Sequence, residues 1–228
     1  MDSKKVVCFD IGGTFVKYGV LDYEGNILAK GSFKSNTDNG QEILDNMCGV
    51  IEKYKKIFKI DGISISSPGF IDVENGVITT GTIINGFIGL NMKEYFGNKF
   101  GLPVVIDNDA NCATIAEHKL GNGKGCKNLV CVTIGTGIGG GIIINNEIYN
   151  GSRFMAGEFG FMFINGTKRQ NPDHYIYSNY ASTRALVEKA NKKLNEEVDG
   201  KQIFERAESG DTVCEEILEQ YFDDLSLG

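Results

Sequence analysis

The sequence is poor in the residues and patterns on which several classes of protein depend. Its 228 residues contain two histidines, His118 and His174, and six cysteines with no Cys-x-x-Cys pair. So few histidines and such scattered thiols argue against a zinc site, a histidine-based metal site or a disulfide framework. They favour buried free thiols in a reducing compartment.

Positive charge and long apolar runs are also missing. The formal net charge is −7, so no basic surplus exists to neutralise a nucleic-acid backbone or an anionic membrane. No apolar run approaches the roughly 20 residues of a membrane span, and MDSKK leads straight into a short apolar segment. We therefore expect a cytoplasmic protein with a small ligand and with neither a nucleic-acid nor a membrane partner.

The residues that are present alternate between strand and helix patterns, which predicts an α/β protein. VVCFDI, TFVKYGVL and NILAKGSF predict a three-stranded meander, and DGISIS and LPVVIDN predict two further strands. Apolar residues recur at helical spacing from Gln41 to Lys59. The segment DANCATIAEHKL predicts a helix that ends at Gly121 as its C-cap.

The second half repeats part of the first. LVCVTI, GIGGGIIIN and EIYNG predict three strands, and the pattern is helical from Asn179, with a last helix that runs to the final residue. VVCFDIGGTFVKYGVLDYEGNIL aligns with LVCVTIGTGIGGGIIINNEIYNG, strand to strand and Ile-Gly to Ile-Gly. Two copies of one strand–glycine turn–strand motif predict duplicated lobes facing one cleft. The alternative is a chance resemblance between β-hairpins.

Both copies carry glycines and a threonine at the turn. The glycines have two explanations: a turn that needs positive φ angles, or a loop stripped of side chains so that a phosphate can approach its backbone. The recurrence, with Asp10 at the end of the first strand, favours nucleotide phosphate. The usual P-loop pattern ending in GK[ST] is absent, so the cradle is of another kind.

Five segments in order resemble the signatures of the ROK family of sugar kinases. They are FDIGGTFVKYGVLD, SSPGFID, VVIDNDANCATIAEHKLGNGKG, TIGTGIGGGI and GSRFMAGEFGFM. The resemblance implies the actin-like, ribonuclease-H-like ATPase fold, with two lobes and a ligand cleft between them. It implies an N-terminal lobe over residues 1–109 and a larger, incomplete lobe over 110–228, with ATP, Mg²⁺ and a hexose bound.

The same resemblance assigns roles by position. Asp109 matches the catalytic base that takes a proton from a sugar hydroxyl, usually the 6-hydroxyl; its alternative role is the N-cap of the following helix. The matched sugar-binding residues are Gly69, Asn85, Asn108, Asp109 and Glu158. The matched phosphate-binding residues are Asp10, Gly12, Gly13, Thr14, Thr136 and Gly137, with Asp10 as the candidate Mg²⁺ ligand. Lys17 either reaches phosphate or is a solvated strand residue.

The sequence departs from the family pattern at a zinc site. Many members have a histidine after AGE-x-G and then a cysteine cluster, where this chain has Phe161 and TKRQNPDHYIYSN. Without thiolates we expect no zinc. Phe161 and Ser178 also replace a histidine and a glutamate near the sugar C1 and C2 positions. The hypothesis is therefore a sugar modified there, such as a β-glucoside or an N-acetylated hexosamine.

The length is a second departure. Family members run some tens of residues further, so we expect a fragment, with the adenine-binding residues beyond Gly228; the alternative is a naturally short protein. The resemblance also implies a homodimer. Two alternatives remain open, a sugar-sensing regulator of the same family and a catalytically silent sugar-binding fragment. The acidic charge and the lack of a helix-turn-helix before the first strand speak against the regulator.

Overall fold

The computed structural model describes residues 4–164 and 175–228, and the chain divides into two compact units. The first comprises residues up to Cys112 together with Asn150–Met155, and the second comprises Ala113–Tyr149 together with Ala156–Gly228. No helix in the described parts of the chain is long and apolar enough to cross a membrane.

The first unit is built on a five-stranded mixed sheet. Its strands are β1 (Lys5–Ile11), β2 (Phe15–Asp22), β3 (Ile27–Lys34), β4 (Gly62–Ser67) and β7 (Val104–Asn108), and a separate hairpin is formed by β5 (Phe70–Asp72) and β6 (Val77–Thr80). The sheet order is β3-β2-β1-β4-β7. The meander β1-β2-β3 is antiparallel, as predicted, whereas β1, β4 and β7 run parallel and end at one edge.

Two helices of this unit differ from the sequence expectations. Helix α1 (Gly40–Lys55) ends four residues before the predicted Lys59, so Ile57 lies beyond the helix and is 61% exposed. Helix α2 (Met92–Phe100) and the β5-β6 hairpin were not predicted. The α2 signals were present in the sequence, because Asn91 caps the first turn and Gly101 ends the helix in a left-handed conformation at φ 65°.

The core of the first unit lies between the sheet and its helices. Val7 and Ile11 of β1, Ile63 and Ile65 of β4, and Met47 of α1 are each at most 1% exposed. Burial of each such side chain contributes about 1.5–3 kcal/mol before opposing terms. The strand ends that carry polar residues are therefore fixed to a rigid base.

Helix α3 (Asp109–Lys119) follows β7 directly. The predicted C-cap at Gly121 is wrong, because the helix ends at Lys119 and Gly121 does not adopt a left-handed φ. The Gly121 N–H instead donates to the carbonyls of Ala116 and Glu117.

The second unit combines a small sheet with helices. Its elements are β8 (Leu129–Ile134), β9 (Ile138–Ile144), β10 (Glu147–Ile148), a short 3₁₀ helix (Phe159–Phe161), α4 (Tyr177–Ala181), α5 (Thr183–Leu194), α6 (Gly200–Glu208) and α7 (Thr212–Leu225). The three predicted strands are present and are antiparallel in the order β10-β9-β8. The helical pattern predicted from Asn179 onward is broken at Ser182, which caps α5, and the last helix ends at Leu225 rather than at the final residue.

The cysteines of the chain are all free thiols. Cys48 and Cys214 are buried, whereas Cys126 is exposed, so the expectation of buried thiols is wrong at that position. Burial raises the pKa of Cys8 to about 11, which keeps that thiol protonated and unreactive at neutral pH.

Gly140 of β9 is needed for packing. A Cβ there would lie 2.5 Å from the ring of Phe159 and would also collide with the Cys131 carbonyl oxygen. The exposed Gly49 of α1 has nothing within 4 Å of the equivalent point.

We predict opposite effects for alanine at these two glycines. Gly140→Ala should destabilise the protein by about 1–3 kcal/mol, because the strand or the Phe159 ring must move. Gly49→Ala should stabilise it by about 0.5–1 kcal/mol, because alanine is the better helix former. Urea unfolding followed by circular dichroism measures both, and equal effects would contradict the assigned packing.

Candidate active site

The carboxyl ends of the three parallel strands bring polar side chains to one edge of the first sheet. In the strand register Asp10 lies beside Ser66, Ser66 beside Asp107, and Ser67 beside Asn108. The Ser66 hydroxyl donates to the Asp10 carboxylate at 2.9 Å. Three segments that are distant in sequence are thereby gathered at this edge.

The first glycine turn, Gly12-Gly13-Thr14, joins β1 to β2 at this edge. The Gly12 N–H donates to the Phe15 carbonyl at 3.0 Å. Neither glycine has a left-handed φ, which rules out the first of the two explanations for them. Within the described residues, the N–H groups of Gly13 and Thr14 have no hydrogen-bond acceptor. Two adjacent free donors in a turn suit an anion.

Asn108, rather than Asp109, caps helix α3. Its side-chain oxygen accepts hydrogen bonds from the N–H groups of Ala110 at 2.9 Å and Asn111 at 3.2 Å. Its amide nitrogen donates to the Gly69 carbonyl at 3.0 Å. The alternative role of Asp109 as the N-cap is therefore wrong, since Asp109 is the first residue of the helix.

These bonds limit what Asn108 can offer a ligand. Both lone pairs of its oxygen and one of its two amide hydrogens are used, which leaves a single N–H donor, and the Asn108 side chain also interacts with the Asp109 carboxylate and lowers its pKa. Gly69 itself has φ 108°, and a Cβ there would lie 2.7 Å from the Thr80 carbonyl oxygen. The position therefore requires glycine, and its carbonyl holds Asn108 in place.

The carboxyl group of Asp109 has a raised pKa. The main cause is that surrounding protein atoms desolvate the carboxylate, although the side chain reaches solvent. The hydrogen bond from the Ala110 N–H opposes this shift, and the negative charge of Asp10 adds to it. A basic carboxylate at the start of a helix is suited to accepting a proton.

A buried network beside Asp109 was not predicted. Asp107 accepts from the Asn108 N–H at 2.7 Å and from the Asn111 side chain at 2.9 Å, and desolvation raises its pKa. Asn111 is 7% exposed, its oxygen has no partner within the described residues, and its amide also reaches Asn150 at 3.4 Å. The sequence signal was the DNDAN motif, whose first and last residues form this network.

Two further candidates lie in the same unit. Asn85 is exposed, and its side chain donates to the Asp38 carbonyl at 3.4 Å. No hydrogen bond within the described residues joins it to Asn108 or Asp109. Lys17 pairs with Asp10 across β1 and β2, and its ammonium group lies 3.8 Å from that carboxylate with 75% of its side chain exposed. This lysine reaches the Asp10 carboxylate while remaining solvated.

The second glycine turn, Gly135-Thr136-Gly137, joins β8 to β9 in the second unit. The Gly135 N–H donates to the Gly137 carbonyl at 2.9 Å, and neither glycine has a left-handed φ. A Cβ on Gly135 would meet nothing within 4 Å. Among the described residues, the N–H groups of Thr136 and Gly137 also lack an acceptor. The fold does not require glycine at position 135, so the missing side chain leaves room for a ligand.

Glu158 precedes the 3₁₀ helix of the second unit. The preceding Gly157 has φ 85°, and Phe159 packs over Gly140, so the segment is held against β9. Phe161, at the end of this helix, is 56% exposed. The expected zinc-free loop runs through residues 167–174, which lie outside the described residues. In the parts described, no group of three or more His, Cys, Asp or Glu side chains could hold a metal.

The amino-acid sequence of the chain is similar to those of a known protein family. The ROK family model matches residues 6–226. A β-glucoside kinase of Listeria monocytogenes is 37% identical over 233 residues, which cover 98% of this chain and 76% of that protein. The chain belongs to the ROK family.

Solved structures agree with the assignment. A Listeria monocytogenes protein described as a candidate N-acetylmannosamine kinase matches with a TM-score of 0.89 and 36% identity, over 97% of this chain and 76% of that one. A ROK glucokinase of Streptomyces griseus, solved with glucose and AMPPNP, matches with a TM-score of 0.79 and 29% identity, over 95% and 75%. The fold is the actin-like ATPase fold, as the sequence predicted.

The two roles of Asn108 can be separated by substitution. Asn108→Ala should lower stability by about 2 kcal/mol, because the helix loses its cap and the Gly69 carbonyl loses its donor, whereas Asn108→Asp should cost about half as much because aspartate keeps the cap. Asn108→Asp removes the spare N–H, however, and should raise the KM for sugar at least several-fold. Urea unfolding and steady-state kinetics measure the two effects. Unchanged sugar KM in Asn108→Asp would argue against a contact to the sugar.

Proposed function

We propose that this protein is a carbohydrate kinase that transfers the terminal phosphoryl group of ATP to the 6-hydroxyl of a hexose or hexose derivative, with Asp109 as general base. Several relatives that it resembles are named as sugar kinases. The observation that carries the proposal is the sheet edge where Asp10, Asn108 and Asp109 meet a glycine turn with two free N–H donors.

The reaction asks for a proton acceptor and for exact placement. As the sugar oxygen bonds to the terminal phosphorus, its proton passes to the Asp109 carboxylate, and the bond to the bridging oxygen breaks to release ADP. The raised pKa makes the ionised Asp109 carboxylate a stronger base than an ordinary aspartate.

The two glycine turns are proposed to bind the phosphate groups. Gly12, Gly13 and Thr14 of one turn and Thr136 and Gly137 of the other supply N–H donors and hydroxyls. Asp10, an exposed carboxylate held by Ser66, fits an oxygen ligand for Mg²⁺. When bound, that ion would supply positive charge that offsets the charge of the phosphates.

The sugar is proposed to meet Asn108 through its spare N–H, with Gly69, Asn85 and Glu158 as further contacts. The substrate class follows from Phe161 and Ser178. Phe161 offers an exposed ring, and the Ser178 hydroxyl is bonded to the backbone N–H of Ile138 at 2.9 Å. Neither then serves a free 1-hydroxyl, which favours a β-glucoside or an N-acetylated hexosamine. A homodimer stays a prediction of the family resemblance, and a cytoplasmic location stays a prediction from the sequence composition.

Asp109→Asn tests the assigned base. The variant preserves the shape of the side chain and the hydrogen bond from Ala110, so it should fold normally and bind sugar. Its kcat should fall by about 10²–10⁴-fold. A coupled ADP-release assay measures the loss, with the exposed Asp45→Asn of helix α1 as matched control. Full activity in Asp109→Asn would contradict the assignment of Asp109 as the general base.

The pH profile gives an independent check. The base acts when ionised, so activity should be lost as the pH falls through its pKa. Since that pKa is raised, the acid limb should lie above the ordinary aspartate range.

A sugar panel tests the substrate class. The value of kcat/KM for a β-glucoside or for an N-acetylated hexosamine should exceed that for glucose by at least about tenfold. Phe161→His should raise activity on glucose, whereas Phe163→His, a matched change at a nearby exposed ring, should not. Equal turnover of glucose and the modified sugars would contradict the hypothesis.

A further inference from the structure

The Gly135-Thr136-Gly137 turn has little to hold its shape from within. Its one internal backbone bond joins the Gly135 N–H to the Gly137 carbonyl. Glycine has more backbone freedom than any other residue, so ordering two of them within three positions is costly. A phosphate site in this turn needs its free N–H groups to be preset in direction, because a loose turn must be ordered at each binding event.

The segment around the α4-α5 junction supplies the missing restraint. The Ser178 hydroxyl accepts a hydrogen bond from the Ile138 N–H at 2.9 Å and donates to the Ile138 carbonyl at 3.3 Å. Five residues later, the Thr183 N–H donates to the Gly135 carbonyl at 2.9 Å. The segment from Ser178 to Thr183 therefore hydrogen-bonds both to Gly135, the first residue of the turn, and to Ile138, which follows the turn.

The surroundings of Ser178 fit this role. A Cβ at Gly160 would collide with the Ser178 hydroxyl oxygen, so glycine there lets the side chain reach β9. The Ser182 N–H donates to the Ser178 carbonyl at 3.3 Å, which links the two residues, Ser178 and Thr183, that bond to the turn and its exit. A Cβ on Gly137 would lie 3.7 Å from the same hydroxyl, so Ser178 lies directly under the turn.

We infer that Ser178 is a positioning residue for the nucleotide: its hydroxyl fixes the exit of the Gly135-Thr136-Gly137 turn so that the Thr136 and Gly137 N–H groups face a phosphate of ATP. The inference rests on the proposed function. It differs from the sequence expectation for this position, which set Ser178 beside the sugar.

The experiment compares Ser178→Ala with Ser182→Ala. Ser182 is fully buried four residues away, and its hydroxyl caps α5 through the Ala185 N–H at 3.1 Å without touching the turn. Both variants lose one hydroxyl bonded to backbone. Binding of ATP with Mg²⁺ is measured by isothermal titration calorimetry, and KM values for ATP and sugar are measured in the coupled assay.

Ser178→Ala should weaken ATP binding and raise the KM for ATP by about three- to tenfold, with the KM for sugar changed less than about twofold. Ser182→Ala should lower the melting temperature and leave ATP binding unchanged. ATP binding equal to the wild type in Ser178→Ala, or equal losses in both variants, would overturn the inference.

The calorimetric measurement separates this inference from the proposed function. A wild-type protein that binds ATP but phosphorylates no sugar would refute the proposed function, and the two variants would still decide the role of Ser178. A wild-type protein that binds no ATP would overturn both.

Discussion

The side chain of Asn108 is the constraint on which the candidate site depends. It stands at the end of β7, the outermost parallel strand of the first sheet, and its hydrogen bonds join the start of helix α3 to the Gly69 turn. By taking the N-cap position it leaves Asp109 in the first helical turn. Strand, turn and helix are therefore fixed relative to one another by a single amide.

The glycines around the candidate site serve different ends. Gly69 is required by a left-handed φ, and Gly140 is required by the ring of Phe159. Gly135 is required by neither conformation nor packing. A glycine without a structural reason, beside free backbone N–H groups, is the stronger indication of a bound anion, and the sequence alone could not distinguish these cases.

Much of the fold could be predicted from the sequence, because β1 to β3 and β8 to β10 have clear alternating patterns and the helices of the second unit have apolar stripes. The break at Ser182 was missed because helical spacing continues through it, whereas the cap forms only when Ser182 accepts from Ala185. Helix α2 was missed although its caps are visible. The motifs identified the residues at the sheet edge, but not which of their donors bonds to which acceptor.

This hydrogen-bond pairing could not be predicted from the sequence, for a physical reason. Whether Asn108 or Asp109 caps the helix depends on a shift of one residue, and the Asp107-Asn111 network depends on which side chains face inward. The bond between Ser66 and Asp10 depends on the register of two strands separated by more than fifty residues. Such facts follow from packing rather than from local pattern.

The spare N–H of Asn108 has a further consequence for recognition. The Asn108 amide can only donate here, and the carboxylate next to it can only accept. A ligand group between them must therefore accept a hydrogen bond from one and donate a hydrogen bond to the other. A hydroxyl group satisfies both neighbours at once, since it carries a lone pair and a hydrogen. A fluorine satisfies only the amide, and an ammonium group only the carboxylate. In the proposed sugar site the pair would therefore distinguish functional groups by the polarity of their hydrogen bonds, before shape or size is considered.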